Sequence, residues 1–513
     1  MRKLLWVATA CMAVATVAGA QEPFPGLDAY VNKAIQTWHL PGLSIAIVRN
    51  DSVIYTKGYG VLAFGGKDAV NDQTLFEIGS SSKAFTATLV SMLVGEGKMH
   101  FDDHLSDYLP DFKMADPVAS HDVTLRDALT HRSGIARGEF AWLGAGVSRD
   151  EVLHRIRFIK PESAFRSKFS YQNMMFLAAG QAAAHAAGKS WDELIKERIF
   201  TPLGMTSSTT DLKTVTGNSN IATPHGIDHD SVWVKPHMDI TNIAPAGSIA
   251  SNARDMAQWL RFQLNDGVVG GKRLVVSAAF RETHTPQMLT GSFGREAGDT
   301  ASVTFFSSYG MGWFVEDYHR QIMWQHGGNT DGMTAAVGML PEKKFGVAVL
   351  SNMNGAQLPG ILMHYIFDRQ LGLPPKDLSG DAYARVIAQR RRADSMQVAQ
   401  AGAVKTTTTA EPPAPLSAFV GTYADSLYGE AIVTLQNGTL DLKRGEWHGP
   451  LAFKNANNFT WTIYPSSPTG PLNIKFEIGP DGKVSGVYFG IGGDVDLMGR
   501  KMTGGRGRGG RAP

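Results

Sequence analysis

Ser80 and Lys83 stand three residues apart in the stretch LFEIGSSSKAFTATL, residues 75–89. On a helix, positions i and i+3 share a face, so this spacing lets a hydroxyl and an amine meet. A serine hydroxyl is a weak nucleophile until a neighbouring base takes its proton. A lysine can be that base once burial or nearby cations lower its pKa. Register decides which serine acts: among Ser80, Ser81 and Ser82, only Ser80 is three before Lys83. Gly79 supports a tight turn into the helix. A serine at a buried helix N-terminus has free backbone N–H groups beside it, which can stabilise an oxyanion. Ala84, Phe85, Ala87, Thr88 and Leu89 suit a buried helix. Taken alone, the same four residues also describe an N-cap serine followed by a solvated lysine, so the surrounding residues have to decide.

The wider segment, F-x-I-G-S-x-S-K-x-F-T-A at residues 76–87, resembles the nucleophile segment of the class C β-lactamase-like serine hydrolases. That family, penicillin-binding-protein-like in character, includes class C β-lactamases, DD-carboxypeptidases, D-amino-acid peptidases and a group of carboxylesterases. Leu129–Gly134 (LTHRSG) and Pro202-Leu-Gly-Met205 match further family segments, as does Ala244-Pro-Ala-Gly247. The resemblance covers residues 25 to 355.

It implies two more catalytic elements. Tyr171-Gln172-Asn173, within F-S-Y-Q-N-M-M-F-L-A-A-G, supplies the family's Tyr-x-Asn. A tyrosine is a poor base at neutral pH unless cations surround it, and Lys83 would be such a cation. Tyr171 and Lys83 are then expected to share the Ser80 proton as a coupled set. Asn173 is expected to accept from Lys83 and donate to a substrate carbonyl. Where β-lactamases carry Lys-Thr-Gly, this chain has His326-Gly327-Gly328 followed by Asn329. Gly327 and Gly328 let a substrate backbone approach the strand edge. The backbone N–H groups of Ser80 and Asn329 would form the oxyanion hole. His326 would either bind a substrate carboxylate or hydrogen-bond Tyr171 and tune it.

The elements that must position these residues can be read from pattern. Leu43–Val48 and Val53–Tyr59 form a hairpin. The nucleophile helix runs on past Val90, with Leu105–Pro110 as its end, and Thr124 caps a short helix with Asp127 three residues on. Residues 140–260 read as mainly helical, including Met174–Ala187 and Trp191–Phe200. Strands return at Gln321–Trp324, Met333–Leu340 and Phe345–Ser351. Strands at both ends with helices between imply an α/β protein of the α+β type: a β-lactamase/transpeptidase-like antiparallel sheet flanked by helices, with an all-helical insert. Residues 21–378 are assigned to this hydrolase domain. Residues 379–415 read as a helix, with Arg390–Arg392 on its surface, and a Thr/Pro-rich linker. Residues 416–503 read as a small all-β barrel, in which Leu472, Ile474, Phe476 and Ile478 alternate with polar residues. Asn437-Gly438 and Asp481-Gly482 mark its hairpin turns. The order F-V-G-T-Y…Y-G there resembles the lipocalin-like domain found behind some members of the family. Every motif lies before residue 330, so the hydrolase domain is expected to fold and acylate without the barrel. Residues 504–513 read as a disordered Gly/Arg tail.

Arg2 and Lys3, an apolar run from Leu4 to Val17, and Ala18-Gly19-Ala20 make residues 1–20 an export signal, cleaved before Gln21, with a periplasmic or secreted product. No other run is apolar enough to span a bilayer. The one cysteine, Cys11, falls in that signal, so no disulfide is expected. The formal charge is only +2 in 513 residues, which argues against nucleic acid as partner. His225, His229 and His237 lack a convincing fourth ligand for zinc, and Gly58-Tyr-Gly60 is no dinucleotide motif. The chemistry needs neither metal nor cofactor. The expected activity is hydrolysis of an ester or amide through an acyl-enzyme, on a small-molecule or peptide substrate such as a D-amino-acid peptide, a carboxylester or a cell-wall fragment. Little β-lactamase activity is expected, because His326 carries less charge than a lysine near neutral pH. The alternatives are a true β-lactamase or DD-carboxypeptidase, and a non-catalytic binder of cell-wall peptides. Oligomeric state is not legible.

Overall fold

The strand Gly42–Arg49 turns through Asn50 and Asp51, both at positive φ (48° and 63°), into Ser52–Gly60. Its other edge pairs antiparallel with Phe345–Ser351, Leu43 lying opposite Ser351. Strands from near the two ends of residues 21–378 are thus paired side by side, second and third in one sheet. In this computed structural model, residues 22–215, 219–290, 306–403, 411–464, 471–491 and 494–502 are described. The segment read above as an export signal, residues 404–410 of the expected linker and the Gly/Arg tail fall outside them.

The sheet has eight strands, ordered Ser52–Gly60, Gly42–Arg49, Phe345–Ser351, Met333–Leu340, Gln321–Thr330, Phe314–Tyr318, Ser307–Tyr309 and Met288–Leu289. Both faces of its central strands are covered, which is why they read as nearly continuous apolar runs. Ala46, Val48, Val337, Met339 and Leu350 face one core, shared with the nucleophile helix Ser82–Gly95. Ile45, Ile47, Val347 and Val349 face a second core, covered by the helices Leu27–Thr37 and Leu358–Gln370.

The helical insert holds the site from the other side. Residues 82–93 of the nucleophile helix are buried on every face, and Phe85 stacks on Trp259 at 3.7 Å. The helix ends at Gly95, and Gly97 at φ 70° carries the chain away. Leu105–Tyr108 is a separate one-turn helix with its own capping box, not the end of the first as the pattern suggested. Thr124 and Asp127 cap Leu125–Leu129 reciprocally as expected. Asn173–Ala187 stops at Gly188 in the left-handed region. The small hairpin His225–Asp228 with Ser231–Val234 was not legible within a region read as helical.

Leu378–Ala403 is one helix, docked through Ser379 on Trp38 and Tyr30. The C-terminal part is a closed eight-stranded barrel, its first and last strands joined at Tyr423 opposite Lys501. Asn437 and Gly438, at φ 49° and 78°, make the expected tight turn. Leu472, Ile474 and Phe476 point inward beside Trp461 and Phe459.

Candidate active site

The site begins where the short strand Phe76–Glu77, paired with Ala250–Ser251, delivers the chain into a 3₁₀ turn, Gly79–Ser81, and then the nucleophile helix. Gly79 has φ 50°, and a Cβ there would fall 2.5 Å from the Asn329 nitrogen. A Cβ on Gly328 would fall 1.8 Å from the Ile78 carbonyl oxygen and 3.1 Å from the Ser80 nitrogen. Glycine at both positions lets the turn and the strand Gln321–Thr330 touch backbone to backbone. On its outer side that strand pairs only as far as Gln325, opposite Phe314, so its edge from His326 onward faces the turn. The three serines divide as register suggests. Ser81 is buried and donates to the His326 carbonyl at 3.1 Å; Ser82 is buried and accepts from the Ile249 N–H at 3.1 Å. Ser80 alone opens into the cleft.

Lys83 has no exposed surface. Its Nζ meets Ser80 Oγ at 3.0 Å, Asn173 Oδ1 at 2.7 Å and the Ala246 carbonyl at 2.8 Å. Burial holds its pKa well below the ordinary lysine value; Glu139 pulls the other way and Arg137 adds to the depression. An uncharged amine here has a lone pair to turn on the Ser80 hydroxyl and two N–H groups for Asn173 and Ala246.

Tyr171 and Asn173 flank Gln172, which fixes the bend into the helix Asn173–Ala187. The Gln172 N–H donates to His131 Nδ1 at 3.0 Å, and its side-chain amide donates to the Ala136 and Arg137 carbonyls. Tyr171 and Ser80 line the same cleft, and the Lys83 Nζ lies 4.8 Å from the centre of the Tyr171 ring. Burial raises the phenol's pKa, and the neighbouring Ser80 hydroxyl and Arg137 recover only part of that rise. A resting tyrosinate is therefore disfavoured, and Tyr171 lines the cleft with Ser80 as a neutral hydroxyl. Asn173 accepts from Lys83, but its NH₂ is given to both carboxylate oxygens of Glu139, each at 3.2 Å, not left for a substrate carbonyl.

His326 lies beside this group but does not bond Tyr171; the ring centres are 6.4 Å apart. Its Nδ1 donates to the Gly327 carbonyl at 2.5 Å and its Nε2 accepts from the Tyr309 hydroxyl at 3.0 Å. It is 2% exposed. Burial, reinforced by Lys83, pushes its pKa down to about 3, so it is neutral near pH 7 and offers no cation to a carboxylate. The expected hydrogen bond from His326 to Tyr171 is corrected by these contacts: the ring is bonded to Tyr309 and to the Gly327 carbonyl of its own strand.

Four further groups enter the site without having been picked from the sequence: Arg137, Glu139, Tyr309 and the Ala246 carbonyl. Arg137 and Glu139 pair at 3.0 Å on a glycine-rich loop. Together with Trp142, Phe314, Met238 and the strand edge they line a cleft of about 650 Å³. His225, set aside as a zinc ligand, accepts from the Phe64 N–H and is bonded to the Asn352 carbonyl, while His237 pairs with Glu77. Among the described residues no group of His, Cys, Asp and Glu is arranged to hold a metal, and no helix is long and apolar enough to cross a membrane.

Known proteins resemble this chain over most of its length. A family model described as Beta-lactamase matches residues 27–366, and one described as a domain of unknown function (DUF3471) matches residues 405–506. The chain is 27% identical to the Unguisins hydrolase ungD of Aspergillus violaceofuscus, over 92% of this chain and 88% of that one. In fold it is similar to an octameric penicillin-binding protein homologue from Pyrococcus abyssi, with TM-score 0.60, 21% identity, and coverage of 90% of this chain and 97% of the other. It is also similar to a D-stereospecific amidohydrolase from a Streptomyces species, with TM-score 0.53, 19% identity, and coverage of 64% and 94%.

Proposed function

The chain belongs to the beta-lactamase family, and from that premise we propose that it is an exported serine hydrolase that cleaves an ester or amide through an acyl-enzyme on Ser80. The observation that carries this reading is the seat of Lys83: a fully buried amine, 3.0 Å from Ser80 Oγ, held by Asn173 and a backbone carbonyl. A structural lysine has little reason to lie there uncharged, whereas a general base must.

In this mechanism the neutral Lys83 takes the Ser80 proton as Oγ attacks the carbonyl carbon. The oxyanion forms beside the N–H groups of Ser80 and Asn329, which the contact of the two glycines keeps close. The Tyr171 hydroxyl, which shares the cleft with Ser80, passes a proton to the leaving alkoxide or amine and is resupplied from Lys83. The acyl-enzyme then forms with the leaving group released. Water attacks it along the reverse path, with Lys83 and Tyr171 exchanging roles.

The cleft supports a reading of the substrate class. A volume of about 650 Å³ accommodates several residues of a peptide or a sizeable acyl group. No lysine stands at the third motif and His326 is neutral, so the ring carboxylate of a β-lactam has no buried cation to meet, and β-lactam turnover is expected to be slow. A peptide carrying a D-residue or a carboxylester fits better. The relatives named as an unguisins hydrolase and a D-stereospecific amidohydrolase support that choice. A panel of a nitrophenyl ester, D-alanyl amides and a chromogenic cephalosporin, run on the wild type and on Ser80→Ala, tests it. Turnover of ester or D-amide that depends on Ser80 is expected; efficient cephalosporin hydrolysis overturns the substrate reading, and Ser80-independent turnover overturns the mechanism. Export is tested by whether the mature N-terminus begins at Gln21.

A further inference from the structure

The barrel meets the edge of the cleft at the loop that carries Phe140. Phe140 is 8% exposed and belongs to the barrel's own core, 4.4 Å from Phe489 and 6.0 Å from Trp447 between ring centres. Arg444, a barrel residue with 2% exposure, donates to the carbonyls of Phe140 and Leu143. The Glu446 N–H donates to the Gly144 carbonyl at 3.0 Å, and Gly144 lies so close on Trp447 that a Cβ would stand 2.2 Å from its ring. The residue before Phe140 is Glu139, which holds the NH₂ of Asn173, which in turn holds Lys83.

The loop has little of its own to keep it in shape. Its helix is one 3₁₀ turn, Glu139–Ala141, and Gly134, Gly138, Gly144 and Gly146 all sit at positive φ. A single turn is not stable by itself, and glycines at such angles are the residues with most freedom to lose. The order in this segment comes from what grips it. Arg155 fixes the Ala141 carbonyl from the helical side, and the barrel fixes Phe140 and Leu143 from the other.

We propose that the barrel is the clamp of the active-site edge: by seating Phe140 in its mouth it holds the Arg137–Glu139 turn against Asn173, so that Glu139 is a positioning residue for the Ser80–Lys83 pair. The expectation that the hydrolase region acylates independently of the barrel is replaced by one of dependence. The proposal rests on Ser80 and Lys83 being the acylating pair, and it extends that reading to a part of the chain that carries no motif.

Its signature is a pH profile. Lys83 is faced by Glu139, Arg137, Tyr171, His131 and His326, and of these only the Glu139 carboxylate favours the ammonium form. Removing or displacing it lowers the pKa of Lys83 and moves the acid limb of kcat/KM to lower pH, while the loosened Asn173 lowers kcat. The experiment uses the full chain: wild type, Glu139→Gln, Phe140→Ala, Phe140→Leu and the Glu139→Gln/Phe140→Ala double variant, assayed with a nitrophenyl ester across pH. Glu139→Gln and Phe140→Ala should each lose about tenfold to a hundredfold in kcat and shift the acid limb in the same direction. The double variant should be no worse than the poorer single one, and Phe140→Leu should recover most of the rate. Wild-type kcat with an unmoved limb in a folded Phe140→Ala, or losses that multiply in the double variant, overturns the proposal. Should Phe140→Ala not fold, Arg444→Met keeps the plug, removes the grip on its carbonyls, and should give the same shift; loss of the whole fold in both overturns the proposal, because the barrel then supports the molecule and not its edge. Fluorophosphonate labelling of wild type against Ser80→Ala tests the underlying pair separately, so a Ser80 that labels normally in the wild type, beside a Phe140→Ala variant with unchanged kcat and pH profile, refutes the clamp alone.

Discussion

In the proposed mechanism Lys83 serves as a base because nothing solvates it. Ser80, Asn173 and the Ala246 carbonyl hold its nitrogen in place, and burial removes the water that would favour the ammonium. The sign follows: a depressed pKa leaves the amine free at lower pH, so kcat/KM should rise with pH through a limb lying well below the ordinary lysine range and be lost in acid. Lys83→Arg, which cannot release its proton, should cost about a hundred- to ten-thousandfold in kcat and erase that limb. His326 makes the complementary case. Being neutral and bonded to Tyr309, it should contribute no inflection between about pH 5 and 8. His326→Lys restores the residue type of the β-lactamase motif but buries a cation beside Lys83. It should cost at least about 2 kcal/mol of stability, read as a lowered Tm, and yield no efficient β-lactamase.

The nucleophile turn and the strand Gln321–Thr330 work as one element, because their backbones touch at two glycines. Gly328→Ala drives a methyl into the Ile78 carbonyl. The two must part, at about 1–3 kcal/mol of stability, and the oxyanion donors part with them. Labelling of Ser80 should slow by about a hundredfold or more while the chain still melts cooperatively, which labelling kinetics and a melting curve will check. This element pair also marks how far the sequence could be read. Ser80 with Lys83, and Tyr171 with Asn173, announce themselves by spacing within single helices or turns. The sheet was legible because its central strands carry apolar side chains on both faces. What escaped depends on distant partners. Glu139 lies in a glycine-rich loop without periodicity, and its meaning comes only from Asn173, thirty-four positions on. The Ala246 oxygen is backbone and has no signature at all. The strand Ser307–Tyr309 is too short to show alternation, yet it carries the tyrosine that fixes His326. One hint was present: Phe140 and Trp142 are large apolar side chains set among glycines, which calls for a partner outside the loop.

At the scale of the whole molecule, the chain is closed twice, once where Gly42–Arg49 meets Phe345–Ser351 and once where the barrel receives Phe140. The barrel resembles ligand-carrying barrels in outline only. Its described interior is occupied by Phe419, Tyr423, Trp447, Trp461, Phe476 and Phe489, and its mouth by Phe140. Eight strands enclose just enough space for such side chains. A fluorescent fatty-acid probe should therefore show no saturable binding to the full chain; binding with a defined stoichiometry that quenches tryptophan fluorescence would contradict a filled barrel. The proposed chemistry depends on one atom, Ser80 Oγ. The most direct measurement is mass-spectrometric mapping of a fluorophosphonate adduct on the full-length protein, its Ser81→Ala variant and its Ser80→Ala variant. A single adduct on Ser80 in the first two and none in the third is the predicted result. An adduct on another residue, or one that persists in Ser80→Ala, would contradict it.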